Sequence, residues 1–336
     1  KENVLDKEVM RQFMGRFMEM TTGAAVLGVV AVADRTGLFR DLQGKGAQSL
    51  EAIAGQTGLE PRYLEEILAT LSAAGIVIYD PEADSYTLPE EHAACVADES
   101  SPYFLGGWSQ MVPALYRAIP GVADACRNGG GVPFSAFGDD MIDGIARSNA
   151  PGTRILLTRK WLPLMPDMVS RLEAGIRVAD VGCGSGTAAL TLARAYPKSE
   201  VHGFDLDAPS IERARLAAQE AGAENLSFEV VDGQSLPADP GFDFITTFDV
   251  IHDVVDPLAV LGQIRGALRE GGCYLMVEPV AGDSLAENLH PAGALTYAMS
   301  TLHCMTQSLA HGGVGLGAAW GPRRAEEHCR QAGFTR

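Results

Sequence analysis

The spacing of apolar positions changes along the chain and divides it into three regions. Between Ser49 and Val77 the apolar residues recur at helical intervals. Ser49 is placed to cap a first helix over Leu50–Gln56, Gly58 supplies a turn, and Pro61 opens a second helix ending at Ala74. Tyr63, Leu64, Ile67, Leu68 and Leu71 share one apolar face of that second helix. Runs at Ile76–Tyr79 and Ser85–Leu88, joined by the turn Asp80-Pro81-Glu82-Ala83-Asp84, complete the outline of a winged helix. An apolar helix is expected over Val26–Leu38, with Met10, Phe13, Met14, Phe17 and Met18 before it. That surface suits either exchange between two chains or burial within this one.

Residues 99–174 mix aromatic-bearing helices with the glycines Gly129-Gly130-Gly131 and read as a helical connector. Their aromatic residues, among them Tyr103, Trp108, Phe134, Phe137 and Trp161, serve a domain interface or a lid. From Gly175 onward, strands at Val178–Val181, Val201–Phe204, Ser227–Val231, Phe244–Phe248 and Tyr274–Val277 alternate with helices at Ala188–Ala195, Pro209–Ala221 and Pro257–Leu268. Gly271-Gly272 is placed to end the last helix. Short strands separated by helices of this length specify a parallel sheet covered on both faces. The fold class is therefore α/β, with a mainly helical winged-helix domain at 1–98, the connector or lid at 99–174, and the ligand-binding sheet domain at 175–336.

Length agrees with more than one domain, since 336 residues exceed the usual size of a single compact unit. The formal charge of −17 repels polyanions at long range, so no nucleic-acid partner is expected. Helix Pro61–Ala74 carries Arg62 against Glu65 and Glu66, a poor complement to phosphates. A transcriptional regulator with the sheet domain as its sensor is therefore the second reading. Lys1, Glu2 and Asn3 do not begin a leader pattern, and no apolar run reaches membrane-spanning length, which gives the expectation of a soluble, cytoplasmic protein without a membrane partner. Six scattered cysteines form no framework, and neither His303-Cys304 nor His328-Cys329 has a second half at metal-binding distance, so no metal is expected.

The chemistry concentrates where the first strand turns into its helix, at Asp180-Val181-Gly182-Cys183-Gly184-Ser185-Gly186-Thr187. Glycines at alternate positions let a ligand approach the backbone, and the helix N-terminus offers free N–H groups. The spacing is G-x-G-x-G with an acid two residues ahead. That acid opposes a pyrophosphate, which counts against a nicotinamide-dependent oxidoreductase, and favours a cation. Asp205 ends the second strand, where a carboxylate can accept from both ribose hydroxyls. Asp232, followed by Gly233, ends the third and can accept from an adenine amine.

These residues resemble class I S-adenosylmethionine-dependent methyltransferases, whose first motif is similar to Val178–Gly186. More broadly, the chain is similar to bacterial methyltransferases with an N-terminal winged-helix domain, through Ser300–Met305, Gly315-Leu316-Gly317 and Trp320-Gly321. The resemblance implies a Rossmann-like sheet, S-adenosylmethionine as cofactor with S-adenosylhomocysteine as product, and a small-molecule acceptor. It assigns cofactor contacts to Asp180, Gly182, Cys183, Gly184, Gly186, Asp205, Leu206, Asp232, Gly233 and Asp249. It also implies a closing antiparallel strand pair, of which Gly333–Arg336 gives no sign, and a homodimer built through the winged-helix domain.

Methyl transfer by in-line displacement requires a positioned nucleophile and, for some acceptors, a base. His252 follows the fourth strand within Asp249-Val250-Ile251-His252-Asp253. Small-molecule O-methyltransferases have a similar His-Asp step in which the histidine is the base, although the Asp-Trp signature is missing because Val254 follows Asp253. Base, pocket residue and packing residue all stay open for His252. Trp161, His303 and Cys304 are the candidates for the acceptor pocket.

Overall fold

A computed structural model describes residues 5–237 and 241–335. Lys1–Asn3, read above for a leader, and Arg336 lie outside them. The chain divides into two compact units, Lys1–Pro113 and Ala114–Arg336.

In the first unit Asp6 accepts hydrogen bonds from the amides of Glu8 and Val9 and starts α1 (Lys7–Arg35), a helix of 29 residues. Gly37, at φ 77°, turns the chain into α2 (Leu38–Leu42). The helix foreseen over Val26–Leu38 is thus about the last third of a longer one, and it stops three residues early. Val30 and Ala33 join the core, whereas Met10, Phe13, Met14, Phe17 and Met18 stay exposed. By length and composition α1 can cross a membrane, with a mean hydropathy of 1.4 over its best 18-residue window. Counting uninterrupted apolar runs misses it, because Thr21, Thr22 and the glycines break the run without adding charge.

Ser49 accepts from the amide of Ala52 at 3.3 Å to start α3 (Leu50–Thr57), and Gly58, at φ 69°, ends it. Pro61 opens α4 (Pro61–Ala73), which buries Leu64, Ile67, Leu68 and Leu71 in a core with Leu38, Phe39 and Ile53. Tyr63, assigned to the same face, is 75% exposed. At roughly 100° per residue it stands at the margin of the buried arc, about 90° from its centre. β1 (Ile78–Asp80) and β2 (Ser85–Thr87) pair antiparallel as the wing, and α5 (Glu90–Val96) follows. α6 (Gly106–Asn128) spans the division between the units.

The second unit continues with α7 (Asp139–Leu156), which runs into a π turn at Leu157–Trp161, and α8 (Pro166–Ala174). The alternation that follows is β3 (Arg177–Val181), α9 (Thr187–Ala195), β4 (Glu200–Asp205), α10 (Ala208–Ala221), β5 (Leu226–Val230), β6 (Phe242–Phe248), α11 (Pro257–Ala267) and β7 (Leu268–Val277). α12 (Pro291–Met299), a π turn at Ser300–Cys304, α13 (Met305–Ala310) and α14 (Pro322–Gln331) complete it. The sheet has the order β5-β4-β3-β6-β7, and all five strands run parallel. Successive residues of β3 enter different cores, as strand geometry requires: Val178 packs with Leu192 and Ile211, and Ala179 with Ile245 and Leu261.

Gly271-Gly272 does not end α11, which stops at Ala267. Phe242 pairs with Leu268 and Phe244 with Cys273, so residues 269–272 form a bulge in β7, with Gly271 at φ 70°. The described residues form no closing antiparallel strand pair. Instead, α14 follows and Phe334 sits 5.1 Å from the ring of Tyr274.

Candidate active site

Strand order reverses between β3 and β6, so their carboxyl ends open a crevice at the point where doubly wound sheets bind ligands. A cavity of about 530 Å³ fills it, bounded by the glycine turn after β3, the ends of β4 and β6, and the inner face of α7. The turn depends on its glycines. Gly182 has φ 68°, and a Cβ there would lie 2.5 Å from Val250. Gly186 has φ 81° at the start of α9, where a Cβ would meet Phe228 at 2.5 Å. Gly182, Cys183 and Gly184 line the cavity, while Gly186 shapes the turn from behind.

Carboxylates dominate the electrostatics. Asp180 is 1% exposed; its Oδ1 accepts from the Thr246 hydroxyl at 2.8 Å, and its Oδ2 has no partner among the described residues. Burial pushes its pKa up to about 7. Asp205 accepts from the amides of Gly184 and Asp207, each at 2.8 Å. Burial still raises its pKa, against the lowering effect of those bonds. Asp249, just beyond β6, adopts φ 56°, a left-handed conformation that aspartate tolerates better than most residues. It is open to the cavity yet surrounded by protein, and that desolvation brings its pKa to about 6, with the His252 charge opposing the rise. Asn149 on α7 donates to its Oδ2 at 3.2 Å. Asp253 is raised to about 7 by burial and receives a hydrogen bond from Gln307. Asp232 and Gly233 stand at the rim, where Asp232 also accepts from the amide of Gln234, and Leu206 presents an apolar side chain 69% exposed. Among the described residues no lysine or arginine lines the cavity.

His252 lies behind this wall. It is 3% exposed and does not line the cavity. The carboxylate of Glu278, just after β7, accepts from the amides of Val250, Ile251 and His252 and bonds His252 Nδ1 at 2.6 Å. The Cys304 thiol is the other group that interacts with the ring. Burial works to lower the imidazole pKa, but the interactions with Cys304 and Glu278, with the Asp253 charge, hold it well above its ordinary value.

Of the three acceptor-pocket candidates, only His303 reaches the cavity. It is 5% exposed, and burial first, then the His252 charge, lowers its pKa to about 4. Cys304 turns toward His252, and Trp161 stacks on Phe248 with ring centroids 5.7 Å apart. The sequence reading missed Asn149, Gln307 and His311, which also line the cavity. A signal existed for Asn149: Ile142, Ile145, Ala146, Asn149 and Thr153 recur at helical spacing along one face of α7.

An acid-lined cavity with an unpartnered buried carboxylate oxygen fits a cationic nucleoside such as S-adenosylmethionine and disfavours a pyrophosphate. Comparison with known proteins agrees. Residues 172–312 match the methyltransferase-domain family, and residues 24–98 match the Rv2258c-like winged helix-turn-helix domain. Acetylserotonin O-methyltransferase of Mus musculus molossinus is 30% identical over 277 residues, covering 76% of this chain and 68% of that protein. The chain belongs to the S-adenosylmethionine-dependent O-methyltransferase family. The ubiquinone biosynthesis O-methyltransferase of Albidiferax ferrireducens is 31% identical over 150 residues, and that match spans 40% of this chain and 59% of the relative. Among solved structures, human N-acetylserotonin methyltransferase in complex with S-adenosylmethionine shares the fold, with a TM-score of 0.68 at 19% identity over 99% of this chain and 94% of that one. The cofactor of this O-methyltransferase fold is S-adenosylmethionine, and the sheet domain is Rossmann-like, as the glycine turn implied.

Proposed function

We propose that this chain transfers the methyl group of S-adenosylmethionine to an oxygen atom of a small molecule held in the same cavity. One observation carries the reading: a carboxylate-lined cavity at the switch point of the sheet continues into an apolar wall on α7. In it, Asp205 holds the ribose hydroxyls, Asp232 and Leu206 flank the adenine with Gly233, and the turn Gly182–Gly186 passes beneath the methionine part. Asp180 and Asp249 face its positive charges. When bound, the cofactor supplies an activated methyl group. The protein's own residues orient the acceptor for in-line attack and exclude water, with α7 as the lid and segment 99–174 as the connector. His252 positions the 250–253 turn through Glu278 rather than touching the acceptor.

Calorimetric titration with S-adenosylmethionine and S-adenosylhomocysteine tests the reading. Micromolar affinity, about −8 kcal/mol, is expected. Absence of binding to either ligand by the folded protein rejects it.

We propose a homodimer as well, and the exposed apolar face of α1 supports it. Phe13→Asp with Phe17→Asp is expected to halve the mass seen by sedimentation equilibrium. An unchanged mass removes α1 from the interface, and detergent-dependent solubility of the parent chain would favour a membrane instead. A DNA-binding role is not favoured, because Arg62 is engaged by Glu65 and Glu66 of its own helix.

A further inference from the structure

We infer that Arg213 is the latch of the cavity: its ion pairs to Asp139 and Asp143 hold α7 against α10 and set how fast the cofactor enters and leaves. The inference rests on the methyl-transfer reading and adds a residue outside the cavity that governs exchange of the ligand.

The latch joins two walls. Asp207 and Ser210, at the start of α10, line the cavity on one side, and Ile142, Ile145 and Asn149 of α7 line it on the other. Arg213 stands one turn beyond Ser210 on α10 and does not itself line the cavity. Its Nε donates to Asp143 at 2.7 Å and its Nη2 to Asp139 at 2.8 Å. Those two carboxylates are four residues apart and share one face of α7. Nη1 donates to the Pro209 carbonyl at 3.1 Å, which fixes the guanidinium on its own helix. One planar fork therefore grips two successive turns of α7, a geometry that an ammonium group does not reproduce.

The gripped stretch is hinged at both ends. Gly138, at φ 73°, precedes it with open space where a Cβ would stand. Arg117 of α6 donates to the Phe137 carbonyl at 3.2 Å and to Asp140 at 3.0 Å, so the start of α7 is a fixed pivot. Pro151 lies inside the helix and offers no amide hydrogen to the Arg147 carbonyl, which breaks the ladder there. Past it, Leu157 is anchored in the core with Val178 and Phe244. The part of α7 that roofs the cavity thus lies between a pivot and a break.

A second link crosses the cavity from within, where Asn149 donates to Asp249 at 3.2 Å. Asp249 faces the positive charge of the cofactor, so a bound ligand competes for that carboxylate. Arg213 touches no ligand, and its pairs keep their strength whether the cavity is filled or empty. A contact that favours the closed form equally in both cases slows entry and exit alike and leaves affinity unaltered.

Stopped-flow measurement of S-adenosylhomocysteine association and release, with affinity from calorimetry, tests the latch on the full chain. Arg213→Met is expected to speed both rates about fivefold, the scale of partly exposed ion pairs, with affinity within about twofold of the parent. Arg213→Lys should fall between the two. S-adenosylhomocysteine carries no net charge, so salt acts on the protein's pairs rather than on the encounter. Raising salt from about 0.05 to about 0.5 M should therefore speed exchange in the parent and leave Arg213→Met unchanged. Rates that match the parent's, or weaker binding at an unchanged association rate, overturn the inference. If Arg213→Met fails to fold, Asp139→Asn with Asp143→Asn removes the same pairs from the other helix. If that variant fails too, the salt response of the parent decides, and a flat response rejects the latch. Binding of S-adenosylmethionine and S-adenosylhomocysteine by the folded parent separates the failures. If either binds while the rates stay unmoved, only the latch falls. If neither binds, the methyl-transfer reading falls as well.

Discussion

Replacing Asp205 with alanine is expected to weaken S-adenosylmethionine binding by about a hundredfold or more. The carboxylate is held between the amides of Gly184 and Asp207 and keeps lone pairs directed at the cavity. Two ribose hydroxyls donating to a charged acceptor are together worth about 3 kcal/mol or more, which is two powers of ten in affinity. Asp205→Asn, which keeps one acceptor oxygen, should retain part of the binding. Calorimetry on folded variants, checked by circular dichroism because the Gly184 amide loses its anchor, gives the answer. Unaltered affinity in the alanine variant would remove Asp205 from the cofactor site.

The second large effect is in pH. Asp180 and Asp249 titrate at about 7 and about 6 in the ligand-free protein because burial disfavours their charges. A cationic ligand binds the ionised pair better, so affinity is fully expressed above both values and falls as the pH drops through them. Between pH 8 and 5, Asp180 alone can cost roughly a hundredfold and Asp249 roughly tenfold, a combined ceiling of about a thousandfold. S-adenosylhomocysteine lacks the sulfonium charge and should lose less. Binding near pH 6.5 should also release protons, read as an enthalpy that depends on the ionisation heat of the buffer. The neighbouring charges are those of Asp205, Asp253, Glu278 and His252, and only the last opposes the rise at Asp249. The sign for stability is the opposite. The folded ligand-free protein binds more protons at Asp180 and Asp249 than the unfolded chain, so these groups favour folding at low pH and that contribution is lost as the pH rises from about 4 to 7. An affinity for S-adenosylmethionine that stays flat from pH 8 to 5 would refute this account.

Much of the sheet domain was legible because its signals are local. The apolar runs of β3, β4 and β6 and the alternating glycines each specify a conformation without help from distant residues, and the acids at Asp180 and Asp205 fall at strand positions fixed by that pattern. The winged helix was legible for the same reason, through Ser49, Gly58 and Pro61. The side on which His252 faces was not. It depends on Glu278, which lies 26 residues later and reaches over from the end of the adjacent strand to bond three amides and the ring. A two-residue motif cannot report that. That His303 reaches the cavity while Cys304 turns toward His252 was not legible either, because consecutive helical residues point about 100° apart and the sequence does not say which of the two faces inward. Gly271-Gly272 was misread because paired glycines end helices and build bulges alike, and only the pairing of Leu268 with Phe242 decides between them.

One junction ties the His303 side of the cavity together. The Thr306 hydroxyl accepts from the amide of Val132 at 2.9 Å, and Gly131 lies so close to the Thr306 carbonyl that a Cβ there would come within 1.9 Å of it. The segment carrying Phe134 and Phe137 is thereby fastened to the segment carrying His303, whereas the carboxylates of the cavity sit at or just beyond the ends of the strands and in the 249–253 turn. The two ends of one cavity thus have separate foundations in the chain. On the proposed reading, the apolar side chains of α7, such as Ile142 and Ile145, can be exchanged to admit a differently shaped acceptor while Asn149 keeps its bond to Asp249, so a lineage built on this plan can diversify its products while conserving its reagent.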